Sequence, residues 1–273
     1  MSQEHKPYAG ESIPENYERY LVPLLFLDYA ADLASRLDVP ADGAVLETAC
    51  GTGAVTRHLR ARLPDNVRLT VTDLALPMVE QVQQIVGDQP GIEYRQADAT
   101  GLPFPEDSFD AVICQFSLML FPDKAKAMRE AARVLRSGGR FVFNVWDRLE
   151  RNGFSRAVHE AVSEIYPTDP PLFLEAPYSY HDLSVITDSL QQAGFDTVEI
   201  VVQPRDSKAS DPHQVAAGLV GGSPLAIQVA ERDTLSLEDA VLAVEGAIAR
   251  KFGSGPISAP MQAFQISAHL GRY

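Results

Sequence analysis

From Ala44 the chain alternates short apolar runs with segments whose apolar residues recur at helical spacing. "AVLETA", "VRLTVTD", "GIEYRQAD", "SFDAVICQF" and "SGGRFVFNVW" read as strands, bounded by Gly, Pro, Asp and Ser. Between them "AVTRHLRARL", "LPMVEQVQQIV" and "DKAKAMREAARVL" read as helices. Pro77 suits a first helical turn, and Asp123 suits an N-cap. Strands alternating with helices of this length predict βαβ units and a doubly wound α/β sheet. Upstream, "ENYERYLVPLLFLDYAADLASRL" carries Tyr17, Tyr20, Leu21, Leu24 and Leu25 at helical spacing. Pro23 is expected to divide it into two helices, because proline lacks the backbone donor and clashes with the preceding turn.

The last third is less regular. Residues 149–166 read as helix and "YPTDPPLFLEAP" as a proline-rich connection. Ser179 followed by Asp182 resembles a capping box ahead of "LSVITDSLQQA", with Gly194 as its stop. "FDTVEIVVQ" and "PMQAFQISAHL" add two strands, for seven in all. Helical patterns in "PHQVAAGLV", "PLAIQVAE" and "LEDAVLAVEGAIARKF" fill the stretch between them.

Charge narrows the partners. A formal net charge of -14 opposes a nucleic-acid partner, since such binding neutralises phosphates with Lys and Arg. No apolar run reaches the ~18 residues of a membrane span. The start "MSQEHKPYAG" has neither the basic nor the apolar region of a signal peptide. Cys50 and Cys114 form no CxxC pair, so a reduced, cytoplasmic setting is expected. No metal-ligand set is evident.

The chemistry concentrates in "VLETACGTGAVTRHL", where a strand ends on Glu47 and turns through Gly51 and Gly53 into a helix. Glycine permits positive φ and close approach of a ligand, and a helix start offers unpaired N–H groups. Asp73 closes the second strand and Asp98 the third. In a parallel sheet the carboxyl ends share one edge, where ligands bind, and an acid after the second strand suits ribose hydroxyls. An NAD site needs a third glycine at position 56, which is Thr56, and its pyrophosphate sits badly beside Glu47. A cationic nucleoside fits the acidic edge better.

With these motifs the chain resembles a class I S-adenosylmethionine-dependent methyltransferase. The nearest branch is the small-molecule one that includes the ubiquinone and menaquinone C-methyltransferases (methyltransferase type 11 domain). The resemblance runs through "VLETACGTGAVT", "VTDLALPMVEQ", "QADATGLPFPEDSFDAVICQFSLMLFPD" and "AMREAARVLRSGGRFVF". "SYHDLSVITDSLQQAGF" and "PMQAFQISAHL" extend it. It implies a Rossmann-like, mostly parallel sheet of seven strands with an antiparallel last strand. It places Glu47, Ala49, Cys50, Gly51 and Gly53 around the methionyl end of the cofactor, with Gln115 near the methionyl amine through its backbone. Asp73 would bind the ribose, with Leu74 and Met78 near the adenine; Asp98 would accept from the adenine amino group, beside Ala99. Ala49 stands where the family often has glycine, a change expected to be tolerated. The quinone enzymes' motifs outside the core are not evident, which leaves the methyl acceptor open.

The resemblance also implies an order of segments. Residues 1–39 would form an N-terminal helical cover, 40–147 the cofactor-binding core and 148–178 a helical insertion. Residues 179–204 and 259–273 would complete the sheet, and 205–258 would form a second insertion over the active site. The reaction it implies is in-line methyl transfer to an O, N or C nucleophile of a small molecule, leaving S-adenosylhomocysteine. Tyr20, Phe116 and Trp146 are the candidate substrate contacts. His181, His159 and His213 are the histidines to weigh as bases. A homodimer is compatible with the sequence. The competing readings are a cofactor-binding module without catalysis, an NAD-dependent oxidoreductase, and a nucleic-acid methyltransferase. The last would carry an Asn/Asp-Pro-Pro-aromatic turn where "CQFSLML" stands.

Overall fold

A computed structural model describes residues 13–232 and 234–271. In chain order the helices are α1 Ile13–Asn16, a π-helical stretch Tyr17–Phe26, α2 Leu27–Ser35, α3 Ala54–Arg62, α4 Leu76–Val86 and α5 Lys124–Val134. They continue with α6 Gly153–Ile165, α7 Leu183–Gln192, α8 Pro212–Ala216, α9 Leu225–Ala230 and α10 Leu237–Phe252. The strands are β1 Ala44–Glu47, β2 Arg68–Asp73, β3 Ile92–Gln96, β4 Phe109–Gln115, β5 Leu135–Trp146, β6 Thr197–Ala209 and β7 Ile257–His269.

The strands form one seven-stranded sheet in the order β3-β2-β1-β4-β5-β7-β6. β1 to β5 pair in parallel, whereas β7 runs antiparallel to β5. Central strands are mostly apolar because helices cover both faces. Val45, Leu46, Val71, Ile113, Phe143 and Val145 are wholly buried. The flanking β3 and β6 alternate exposed and half-buried positions, with Glu93, Arg95 and Glu199 pointing out. Such charges blunt a sheet edge against further pairing.

By internal contacts the chain divides into two compact units. Of the described residues, the sheet unit comprises 27–147, 177–203 and 263–271; the helical unit comprises 13–26, 148–176, 204–232 and 234–262. In the sheet unit Tyr29, Ala30 and Leu33 of α2 are wholly buried, and α2 groups with the sheet by its contacts. In the helical unit Phe154 of α6 meets Phe252 of α10 edge to face at 5.1 Å, and the Ser207 hydroxyl donates to the Leu24 carbonyl at 2.8 Å.

Two local expectations are corrected. Pro23 does not break the helix where it stands; it lies inside the π-helical stretch, and the unit boundary falls after Phe26. The wider π turn shifts the hydrogen-bond ladder, so the missing N–H interrupts no regular α-helical run. The cap of α7 is Asp182 and not Ser179: its Oδ1 accepts from the N–H of Ser184 at 2.9 Å and of Val185 at 3.4 Å. Asp123 caps α5 through the Lys126 N–H, and Pro77 lies in the first turn of α4, as the sequence implies.

Candidate functional site

β1 ends on Glu47, and the chain then threads between its neighbours before turning into α3. The Thr48 N–H donates to the Ile113 carbonyl of β4 at 2.8 Å, and the Cys50 N–H to the Thr72 carbonyl of β2 at 3.0 Å. Ala49, Gly51 and Gly53 all hold positive φ, at 52°, 55° and 87°. Ala49 thus holds a left-handed conformation where the family often has glycine, and its Cβ there costs roughly 1–2 kcal/mol. Gly53 caps α3 with no side chain. A Cβ on it would stand 2.3 Å from Val82 Cγ2 of α4. The close-packing role of a third glycine in dinucleotide loops is thus filled here by Gly53.

Glu47 is only 2% exposed. Its Oε2 accepts from Thr56 Oγ1 at 2.7 Å, and the Thr56 N–H also favours its ionised form. The carboxylate thereby occupies the anion position at the start of α3. Burial raises its pKa to about 8, the Asp73 charge adds to the rise, and the two Thr56 bonds oppose it.

Asp73 closes β2 and braces the loop. Its Oδ2 accepts from the Gly51 N–H and its Oδ1 from the Ala75 N–H, both at 2.9 Å. A carboxylate has about four lone-pair sites, so each oxygen retains accepting capacity. Leu74 is exposed and Met78 half-buried beside it. Asp98 makes a tight local turn after β3, its Oδ1 taking the Thr100 N–H at 2.7 Å and the Thr100 hydroxyl at 2.8 Å. Those bonds hold its carboxyl below the usual range. Ala99 follows, half-buried.

At the ends of β4 and β5 the chemistry changes. The Gln115 carbonyl accepts from Ser117 Oγ at 3.1 Å. Phe116 takes φ 49°, a strained value for a bulky residue, and its N–H donates to the Asn144 carbonyl at 3.1 Å. Its ring stacks on Trp146 with centroids 3.9 Å apart, and Tyr29 of α2 meets both rings edge-on at 5.3 and 5.4 Å. Each such pair contributes about 0.5–1.5 kcal/mol beyond its burial. Phe116 and Trp146 are thus brought together, both buried. Tyr20 belongs to the helical unit, where it meets His213 edge-on at 5.9 Å.

The histidines are dispersed. His181 Nδ1 lies 2.8 Å from the Tyr178 carbonyl in the sheet unit. His159 and His213 belong to the helical unit, where they approach Glu175 at 3.7 Å and Glu245 at 2.9 Å. Cys50 and Cys114 are free and buried, and burial raises both thiols, Cys114 to about 11. Among the described residues no three His, Cys, Asp or Glu side chains cluster to hold a metal, and no helix is long and apolar enough to cross a membrane. Sequence reasoning missed Thr56, Tyr29 and Asn144. For Asn144 a signal existed, since it interrupts the apolar run "FVFNVW". A groove of ≈ 550 Å³ lined by Arg68, Arg95, Phe104 and Arg136 lies at the amino ends of the strands, away from these acids.

Comparison with known proteins concerns the sheet region as a whole. Residues 46–143 match the family described as Methyltransferase domain. The ubiquinone/menaquinone biosynthesis C-methyltransferase UbiE of Enterobacter sp. (strain 638) is 33% identical over 153 residues, which are 55% of this chain and 54% of that protein. The chain thus spans about half the length of such relatives. The YcgJ protein of Bacillus subtilis has a similar fold, with a TM-score of 0.59 and 20% identity, covering 90% of this chain and all (100%) of that one. A Haemonchus contortus phosphoethanolamine N-methyltransferase 2, solved with phosphomonomethylethanolamine and S-adenosylhomocysteine, aligns with a TM-score of 0.57 at 14% identity. It covers 96% of this chain and 61% of that one. At these identities the structural likenesses establish the fold.

Proposed function

We propose, for a chain whose core is a class I S-adenosylmethionine-dependent methyltransferase domain of the UbiE type, that it methylates an O, N or C nucleophile of a small molecule. The observation that carries this reading is the triad of acids Glu47, Asp73 and Asp98 at the carboxyl ends of β1, β2 and β3, around a loop held open by positive φ. Ligands of open α/β sheets bind at that edge.

The residues fit the cofactor. Asp73 is held in place by two loop N–H groups and keeps lone pairs for both ribose hydroxyls. Asp98 engages Oδ1 with Thr100, which leaves Oδ2 for an adenine amino donor. Leu74 and Met78 supply an apolar lip for the base. Glu47 is a buried acid held by Thr56, and a nearby cation would favour its ionised form. When bound, the cofactor supplies a methyl group made electrophilic by its sulfonium. The chain's contribution is alignment: the Asp73 brace and the β4 end fix where a nucleophile must approach. Glu47 also argues against a dinucleotide, because it fills the start of α3 where a pyrophosphate would lie. The net charge of -14 argues against a nucleic-acid acceptor. The free, buried cysteines support a reducing, cytoplasmic setting.

Calorimetric titration with S-adenosylhomocysteine tests the reading, followed by transfer of a labelled methyl group to a panel of phenols, quinones, amines and acids. Saturable uptake by the wild type is expected, with at least a tenfold loss in Asp73→Ala. Absence of uptake in a folded wild type would overturn it.

A further inference from the structure

The sheet holds an unexplained polar group. Asn144 lies near the carboxyl end of β5, wholly buried, and neither its Oδ1 nor its Nδ2 has a hydrogen-bond partner. A buried amide left unmade on both atoms is costly, and native structures rarely keep one without a reason. Its neighbours are better served: Gln203 Nε2 donates to Gln265 Oε1 at 2.6 Å and to Asp32, although Gln203 Oε1 is itself unpaired.

Register locates Asn144 with respect to the proposed cofactor edge. Glu47 of β1 is paired with Ile113 of β4, and Ile113 with Val142 of β5, so Glu47 and Val142 face the same way. Asn144 stands two residues further along β5, on that same face and directly beside Gln115. At about 3.3 Å per residue it lies roughly 7 Å beyond the level of Glu47, where β1 has already turned into its loop. The row runs from a half-buried Gln115 to a wholly buried Asn144. Asn144 also accepts the N–H of Phe116 through its own carbonyl, and Phe116 is the strained residue of this edge. Strain of this kind gathers at ligand sites.

The chemistry of the occupant follows from what surrounds it. Glu47 and Asp73 make the rim acidic, which suits an ammonium but repels a carboxylate. A neutral amide offers one group to each. Resting on the cofactor reading above, we propose that Asn144 binds the amino-acid end of S-adenosylmethionine, Nδ2 donating to the carboxylate and Oδ1 accepting from the ammonium.

Two probes separate this from a structural role. S-adenosylhomocysteine carries the amino acid, whereas 5′-methylthioadenosine keeps the adenosine and lacks it. In calorimetry Asn144→Leu, of similar shape, is expected to lose about tenfold or more in S-adenosylhomocysteine affinity, as befits lost bonds to charged groups. Its affinity for 5′-methylthioadenosine should stay unchanged, and the melting temperature of the free protein should rise. Asn144→Asp should weaken S-adenosylhomocysteine further by placing a charge against its carboxylate, and serves if the leucine variant does not fold. Unchanged affinity for both probes, the outcome if a buried water alone satisfies Asn144, overturns the proposal, as does an equal loss for both. Uptake of neither probe by the wild type defeats the cofactor reading and this inference with it.

Discussion

The two halves of the sheet's carboxyl edge are built by different means. At β1, β2 and β3 most of the acids' bonds are within short reach along the chain, Glu47 to Thr56, Asp98 to Thr100 and Asp73 to Ala75, while Asp73 also reaches Gly51, 22 residues away. Their geometry is organised by turns and a helix start before any ligand arrives. At β4 and β5 the aromatic stack, the strained Phe116 and the unpaired Asn144 meet only through strand pairing and the packing of α2. The first half is an electrostatic cradle whose parts are mostly local. The second half is a packed wall whose one polar gap comes from register.

Titration of Glu47 should expose the strain in the cradle. Its folded pKa of about 8 lies above the ordinary value of 4.5. The folded protein thus holds a proton that the unfolded chain has released between those values. The corresponding stability is complete below about pH 4.5 and is lost as pH rises through about 8. At 1.36 kcal/mol per unit the ceiling is about 5 kcal/mol. Urea denaturation from pH 5 to pH 9 should show wild type losing stability relative to Glu47→Gln over that window. A constant difference between the two would mean that Glu47 is already ionised at pH 5.

Gly53 tests whether the cradle depends on α4. Gly53→Ala drives a Cβ into Val82 at positive φ, so overpacking and backbone strain act together. A loss of about 3 kcal/mol is expected in chemical denaturation. Adding Val82→Ala should recover part of it by removing the clash but not the φ cost. No recovery would show that the steric contact is unimportant.

The smallest effect belongs to Ala49. Because its φ is 52°, Ala49→Gly removes a left-handed Cβ and should be stabilising by up to about 1 kcal/mol, measured by melting temperature. Destabilisation would mean that the methyl group packs well enough to outweigh its strain.

Much of this was legible without coordinates. The apolar runs and helical spacings predict the seven strands and a parallel sheet, while the antiparallel last strand is what the family resemblance implies. The acids of the edge could be named because each ends a strand in the sequence. Thr56 went unread as a partner of Glu47 because its role depends on how α3 enters. Asn144 is visible as a polar interruption of an apolar strand, but its lack of a partner depends on the strands and helix packed around it.

The sequence by itself determined the element order, the glycine turn and the acids around it, because periodicity and turn chemistry act over a few residues. Only the tertiary structure decided that Glu47 is buried against Thr56, that α2 joins the sheet, and that Asn144 lies unpaired beside Gln115. The first depends on how α3 enters beside β1, and the others on strand register and helix packing between residues far apart in the chain, where a one-residue slip would turn every side chain of a strand to the opposite face.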